Sequence, residues 1–98
     1  MSGARVRAIA PAAAWAAASS GEARILDLRT TAERRRYGWP PGAPRVSLAR
    51  HVLAPRGAGT IYLCQHARRS KLTGRRGAAE VEGGWVAWER AGLPIERP

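Results

Sequence analysis

The stretch that most constrains the fold is Thr60-Ile61-Tyr62-Leu63-Cys64, followed at once by Gln65-His66-Ala67-Arg68-Arg69-Ser70. Four β-branched, aromatic or aliphatic residues in a row read as a strand buried on both faces. Such a strand belongs to a parallel sheet covered by helices, because a sheet with one wet face alternates apolar and polar residues. The run ends in the chain's only cysteine and passes into a basic loop.

The remaining segments fit that sheet. Arg5-Val6-Arg7-Ala8-Ile9 alternates polar and apolar residues, as a short edge strand does. Pro11 suits the first turn of a helix, where its missing N–H costs nothing, and Ala12 to Ala18 has strong helix propensity with Trp15 as its one large anchor. Ser19-Ser20-Gly21 ends it. Ile25, Leu26 and Leu28 mark a second buried strand, and Asp27 within it is the only aspartate in the chain. A carboxylate in a buried strand needs a partner. Arg29 stands two residues on, and the loop arginines are further candidates. Thr30 or Thr31 can cap the next helix with Glu33 in its first turn, and Arg34-Arg35-Arg36 reads as its solvated face. Gly38-Trp39-Pro40-Pro41-Gly42-Ala43-Pro44 is a rigid turn. Arg45 to Leu48 reads as a short strand, Ala49 to Leu53 as one helical turn, and Arg69 to Arg76 as about two. Ala79-Glu80-Val81 is a last short strand. Trp85 to Ala91 is an amphipathic helix with Trp85 and Trp88 on one buried face.

Strands alternating with helices predict an α/β fold with a mainly parallel sheet. At 98 residues, this is read as a single domain over 1–98 with one modest core. Ligands in such sheets sit beyond the carboxyl ends of the strands, where Cys64 lies.

Seventeen basic residues face seven acidic ones, for a net charge of +10. The balance favours anionic partners, yet only one of the seventeen is lysine and the chain is rich in Ala, Gly, Arg and Pro. Those residues follow a GC-rich, bacterial-type composition, which accounts for part of the charge. The arginines are scattered without interleaved exposed aromatics, so nucleic acid is not the expected partner. Met1 to Ala18 imitates a signal peptide, but its alanine-rich middle with an internal Pro is weakly apolar. No stretch reaches the ~20 apolar residues of a membrane span, and a cytoplasmic location is expected.

A single cysteine makes no internal disulfide. With His51 and His66 it supplies three of the four ligands of a structural zinc site, so neither a metal nor another cofactor is expected. The thiol is then either an inert buried residue or a reactive group in a reducing compartment, and the basic loop directly after it favours reactivity. Successive backbone N–H groups of a tight loop can converge on a sulfur anion. Arg68, Arg69 and Lys71 add positive charge, and His66 can donate a hydrogen bond. Cysteine phosphatases use C-x5-R, with the arginine six residues after the cysteine. Here Arg69 is at plus five and Ser70 at plus six, so the smaller loop suits sulfur better than phosphate.

At this point the chain resembles the rhodanese domain family. Ile25-Leu26-Asp27-Leu28-Arg29 with Glu33 is similar to the family's strand-Asp-x-Arg and downstream Glu. Gly38-Trp39-Pro40-Pro41-Gly42-Ala43 resembles its Gly-His-Ile-Pro-Gly-Ala turn. Cys64-Gln65-His66-Ala67-Arg68-Arg69-Ser70 resembles its Cys-x-x-Gly-x-Arg-Ser loop, with Ala67 in place of the glycine. Gly83-Gly84-Trp85-Val86-Ala87-Trp88 and Ala91-Gly92-Leu93-Pro94-Ile95 resemble its C-terminal signature.

The resemblance implies a rhodanese-like three-layer domain of the single-domain type, with a five-stranded, mainly parallel sheet flanked by helices. Only twelve residues separate Ser70 from Gly83, so the helices around 49–58 and 70–76 are expected to be shortened. The resemblance further implies a sulfurtransferase. Cys64 would take a sulfane sulfur from a small anionic donor such as thiosulfate as a persulfide, and pass it to a thiol, to cyanide or to a sulfur-relay protein. Gln65, His66, Ala67, Arg68, Arg69 and Ser70 would form the persulfide-binding loop, braced by Asp27, Arg29 and Glu33. A rhodanese-like binding, regulatory or relay module with weak catalysis is the alternative.

Overall fold

The structure, a computed structural model, describes residues 7–53, 58–66 and 78–98, with the side chains of 52 and 53 left aside. Eight elements follow in chain order: β1 (Arg7–Ile9), α1 (Pro11–Ser20), β2 (Arg24–Asp27), α2 (Thr31–Tyr37), α3 (Leu48–Leu53), β3 (Thr60–Leu63), β4 (Ala79–Val81) and α4 (Gly84–Arg90). The four strands form one parallel sheet in the order β1-β4-β3-β2. Among the described residues the sheet thus has four strands rather than five. The expected strand at Arg45–Leu48 is reduced to a single parallel bridge, Asp27 to Arg45. There the Asp27 N–H donates to the Pro44 carbonyl (2.9 Å) and the Val46 N–H donates to the Asp27 carbonyl (2.8 Å). Pro44 has no N–H to extend a ladder, and Ser47 accepts for the next helix instead: its carbonyl takes the His51 N–H.

Side chains alternate across β3. Ile61 and Leu63 enter a cluster with Ile25, Val81, Trp85 and Trp88, whereas Tyr62 and Cys64 enter the opposite one with Leu26, Leu28 and Ala78. The first face is covered by α1 and α4, whose Trp15 and Trp88 meet edge to face at 5.9 Å. The second carries Val46 and Leu48 and a buried His51–Tyr62 contact, Nδ1 to Oη at 2.6 Å. This gives the three-layer α/β arrangement that the alternation of segments predicts. Trp85 and Trp88 are both fully buried, and each such side chain removes roughly 150–250 Å² from water.

The helix limits follow local chemistry. α1 starts with Pro11 at its first position and ends at Gly21 in the left-handed region, φ 84°. α2 opens with a capping box: Thr30 Oγ1 accepts from the Glu33 N–H, and Glu33 Oε1 accepts from the Thr30 N–H. Of the two shortened helices, α3 has six residues; the predicted turns over 70–76 lie outside the described residues, as do Arg5 and Val6. No helix among the described residues is long and apolar enough to cross a membrane.

The chain's end is tied back to the Gly38–Pro44 turn. Trp39 and Glu96 exchange two backbone hydrogen bonds, 2.9 and 2.8 Å. Gly38 makes that approach possible, with φ 88° and ψ −174°, a combination open essentially only to glycine. A Cβ there would lie 2.5 Å from Ile95 Cγ2 and 2.6 Å from the Glu96 carbonyl oxygen, whereas one at Gly42 would meet nothing within 4 Å. Gly42→Ala is therefore expected to cost only the left-handed backbone penalty, about 1–2 kcal/mol. Gly38→Ala should cost about 3 kcal/mol or more. Urea unfolding of the two variants side by side checks this; equal midpoints would show that the terminal segment yields without cost.

Candidate active site

Cys64 directly follows β3, at the carboxyl end of an inner strand, and is 1% exposed. Its position is set from two sides. The Leu28 N–H donates to the Leu63 carbonyl (2.8 Å), which holds the end of β3 against the continuation of β2. From the other side the start of α4 reaches the loop: the Trp85 N–H donates to the Cys64 carbonyl (2.8 Å) and the Val86 N–H to the Gln65 carbonyl (3.3 Å). These are first-turn amides, which have no acceptor within their own helix. Gly83 turns the chain into α4 as its N-cap. It has φ 75°, and a Cβ on it would lie 2.7 Å from the Cβ of Ala87.

The two contacts orient the loop. In a trans peptide the N–H points opposite to the carbonyl, and there is no cis peptide among the described residues. With the carbonyls of Cys64 and Gln65 turned to α4, the N–H groups of Gln65 and His66 point away from it. Helix α4 packs on the face of Ile61 and Leu63, whereas the thiol lies on the face of Tyr62. The two amides are thus directed away from the start of α4.

Beneath the loop lies a buried ion pair. Asp27 and Arg29 are both fully buried. Asp27 Oδ1 accepts from the Arg29 N–H (2.9 Å) and Nε (3.0 Å), and Oδ2 accepts from Arg29 Nη2 (2.9 Å). The guanidinium also donates to the Gly38 carbonyl (2.7 Å) and to Gln65 Oε1 (3.4 Å), and lies 4.3 Å from the Trp85 ring centroid. One cation therefore joins the end of β2, the proline-rich turn, the cysteine loop and the base of α4. Burying it is tolerable because every face has a partner.

Arg34 corrects the reading of Arg34-Arg35-Arg36 as a solvated face. Its Nη1 donates to Asp27 Oδ2 (3.1 Å) and to the Ala43 carbonyl (2.9 Å), and its guanidinium stands 4.8 Å from the Trp39 ring centroid. Arg35 and Arg36 do face solvent. The arginine triplet concealed this role because the helical spacing that turns Arg34 inward matters only once the 38–44 turn folds beneath it.

Of the other expected site residues, Gln65 and His66 stand beside Cys64, with His66 exposed. Together with Glu33, Arg36, Tyr37 and Glu89 they edge an open cleft of about 550 Å³. Arg29, paired with Asp27, donates to Gln65 Oε1 of the loop. Glu33 caps α2, and its link to the loop is as part of the cleft wall. Ala67, Arg68, Arg69 and Ser70 lie outside the described residues. The roles of three further residues escaped the sequence reading. Glu80, in the innermost part of the sheet, is 2% exposed and pairs in register with Tyr62. The amides of Trp85 and Val86 carry the loop contacts. The adjacent Gly83-Gly84 was their only signal in the sequence.

A parallel α/β sheet with its lone thiol at the carboxyl end of an inner strand defines a class of proteins. No protein-family model matches the chain, and no curated protein does. Solved structures do. A Rhodopseudomonas palustris protein of unknown function, a possible tyrosine phosphatase, superposes with a TM-score of 0.76 at 25% identity over 93% of this chain and 85% of its own. A rhodanese-related protein from Thermoplasma volcanium gives 0.69 at 20% identity, covering 92% and 97%. Thiosulfate sulfurtransferase from Pseudomonas aeruginosa gives 0.72 at 24% identity over 96% of this chain, which spans 20% of that protein. The chain has the rhodanese-like α/β fold.

The buried pair sets the expectation for mutation. Arg29→Met leaves the Asp27 carboxylate with Arg34 as its one remaining cation among the described residues, and should cost about 3–5 kcal/mol. Arg34→Met, whose guanidinium is partly buried rather than fully buried, should cost less, about 1–2 kcal/mol. Chemical unfolding measures both. The reverse order would place the centre of the network at Arg34.

Proposed function

We propose that the protein is a sulfurtransferase that carries a sulfane sulfur as a persulfide on Cys64. The observation that carries this reading is the place of the thiol at the carboxyl end of an inner strand, ahead of a loop whose first two carbonyls are held by α4 so that their amides point away from it. An anion on the sulfur is then met by N–H dipoles already in place. The fold shared with rhodanese-related proteins supports the same reading.

The chemistry balances as follows. The Cys64 thiol gives its proton to solvent, and the thiolate attacks the sulfane sulfur of thiosulfate. A new S–S bond forms to Cys64, the S–S bond of thiosulfate breaks, and sulfite leaves with the bonding pair. A thiophilic acceptor then attacks the outer sulfur. With cyanide, thiocyanate departs and the Cys64 thiolate returns. Backbone N–H groups of Gln65 to Ser70 hold the persulfide anion and Arg69 draws the donor. Asp27 and Arg29 keep Gln65 in place.

A second reading is a rhodanese-like module that docks a partner or relays sulfur without appreciable turnover. It is favoured by the burial of Cys64, 1% exposed among Leu26, Leu28, Tyr62 and Ala78. Phosphatase chemistry has less support despite the possible phosphatase among the similar structures. The position six after Cys64, which C-x5-R gives to arginine, holds Ser70.

Incubation with thiosulfate is expected to add the mass of one sulfur atom to the intact protein, removable by cyanide or dithiothreitol and absent from Cys64→Ser. Folded protein that gains no sulfur would leave the module reading in its place. Hydrolysis of p-nitrophenyl phosphate should stay at the level of the Cys64→Ser variant.

A further inference from the structure

The contacts between α4 and the loop bear on how the site selects its ligand. α4 begins against the loop, and its second and third amides, those of Trp85 and Val86, are spent on the carbonyls of Cys64 and Gln65 rather than on solvent. Gly83 caps α4 in the left-handed conformation and packs closely on Ala87 of the same helix. Trp85 is anchored from below, fully buried and stacked on Trp88 at 6.4 Å with the Arg29 guanidinium over its ring. The helix start is therefore a fixed point, and the loop is the part that conforms to it.

Resting on the sulfurtransferase reading, we infer that the backbone N–H of Val86 is a positioning group that gives the cysteine loop its preference for anionic over neutral reagents. It does so by holding the Gln65 carbonyl, which turns the His66 N–H away from α4 and presents it to an anion bound at the loop. It touches neither sulfur nor substrate. Release of the Gln65 carbonyl lets that peptide rotate, and an inward-turned carbonyl would oppose an anion where an N–H had attracted it. Trp85 performs the same function one peptide earlier, but its side chain is also core. Val86 is half-buried at the cleft, so its amide can be tested without removing a core residue.

Val86→Pro deletes that N–H at a first-turn position, where proline breaks no bond within the helix. Val86→Ala keeps the N–H and serves as its reference. The readout is the ratio of Cys64 alkylation rates with iodoacetate and iodoacetamide, one reagent anionic and the other neutral, in folded protein. A loss of access or of packing slows both reagents, whereas a loss of anion-directed amides slows the first. The ratio is expected to fall about fivefold in Val86→Pro relative to Val86→Ala, the effect of one ordinary hydrogen bond. The KM for thiosulfate should rise by a similar factor relative to Val86→Ala, with a smaller change in kcat.

Equal ratios in the two variants overturn the inference. If Val86→Pro does not fold, ligation of synthetic fragments at Cys64 supplies the full chain with an ester in place of the 85–86 amide, and the same ratio decides. The alkylation test uses no sulfur donor. A fivefold fall in a protein that takes no sulfur from thiosulfate would uphold the positioning role and overturn the sulfurtransferase reading. An unchanged ratio in a protein that does take sulfur would do the opposite.

Discussion

The structure depends on the burial of one ion pair. Asp27 and Arg29 lie two residues apart at the end of an edge strand, both without solvent exposure. Taking two such charges from water costs several kcal/mol each, and the attraction between them offsets that only when the remaining donors and acceptors are satisfied. Here they are satisfied by four separate parts of the chain: the Arg29 backbone, Arg34 of α2, the Gly38 carbonyl and Gln65 of the cysteine loop. Each partner is held in place by its need to satisfy a buried charge. The result is a joint rather than a pair, and the edge of the sheet, the proline-rich turn and the loop cannot move independently.

That joint suits a chain with little core to spare. The two tryptophans of α4 provide the bulk on one face, and the guanidinium of Arg29 lies across one of them. The cation thus contacts both the polar loop and the apolar layer. A hydrophobic residue in its place could fill the volume, but it could not bond Gln65 or the Gly38 carbonyl. The burial fixes the geometry of the loop against the turn, through the Arg29 bonds to Gln65 and the Gly38 carbonyl. The same economy shows at the sheet margin, where a fifth strand shrinks to one bridge and Pro44 ends the ladder before it can extend.

The candidate site then follows from where the strands end. β3 delivers the thiol, the continuation of β2 holds the end of β3, and α4 takes the first two loop carbonyls. None of these contacts involves a catalytic side chain. The chemistry proposed for Cys64 rests on backbone dipoles, which a sheet and a helix start can orient with more rigidity than a flexible side chain could.

The sequence by itself determined the parallel α/β class, the inner strand that leads into Cys64, the tryptophan face, a cap at Thr30 or Thr31 and Arg29 as one candidate partner for Asp27. Each is a local pattern: an apolar run, a helical spacing, a short polar motif whose partner lies within a few residues. The tertiary structure alone decided the order β1-β4-β3-β2, which puts the sequence-late Ala79–Val81 in the interior of the sheet. It decided that Arg34 turns inward while its two neighbours face water, and that the amides of Trp85 and Val86 hold the loop. Those features depend on groups brought together from 9 to more than 20 residues apart. Side-chain type can announce a charge that needs a partner, but a backbone N–H is the same at every residue. Only the folded chain selects which two of them face the cysteine loop.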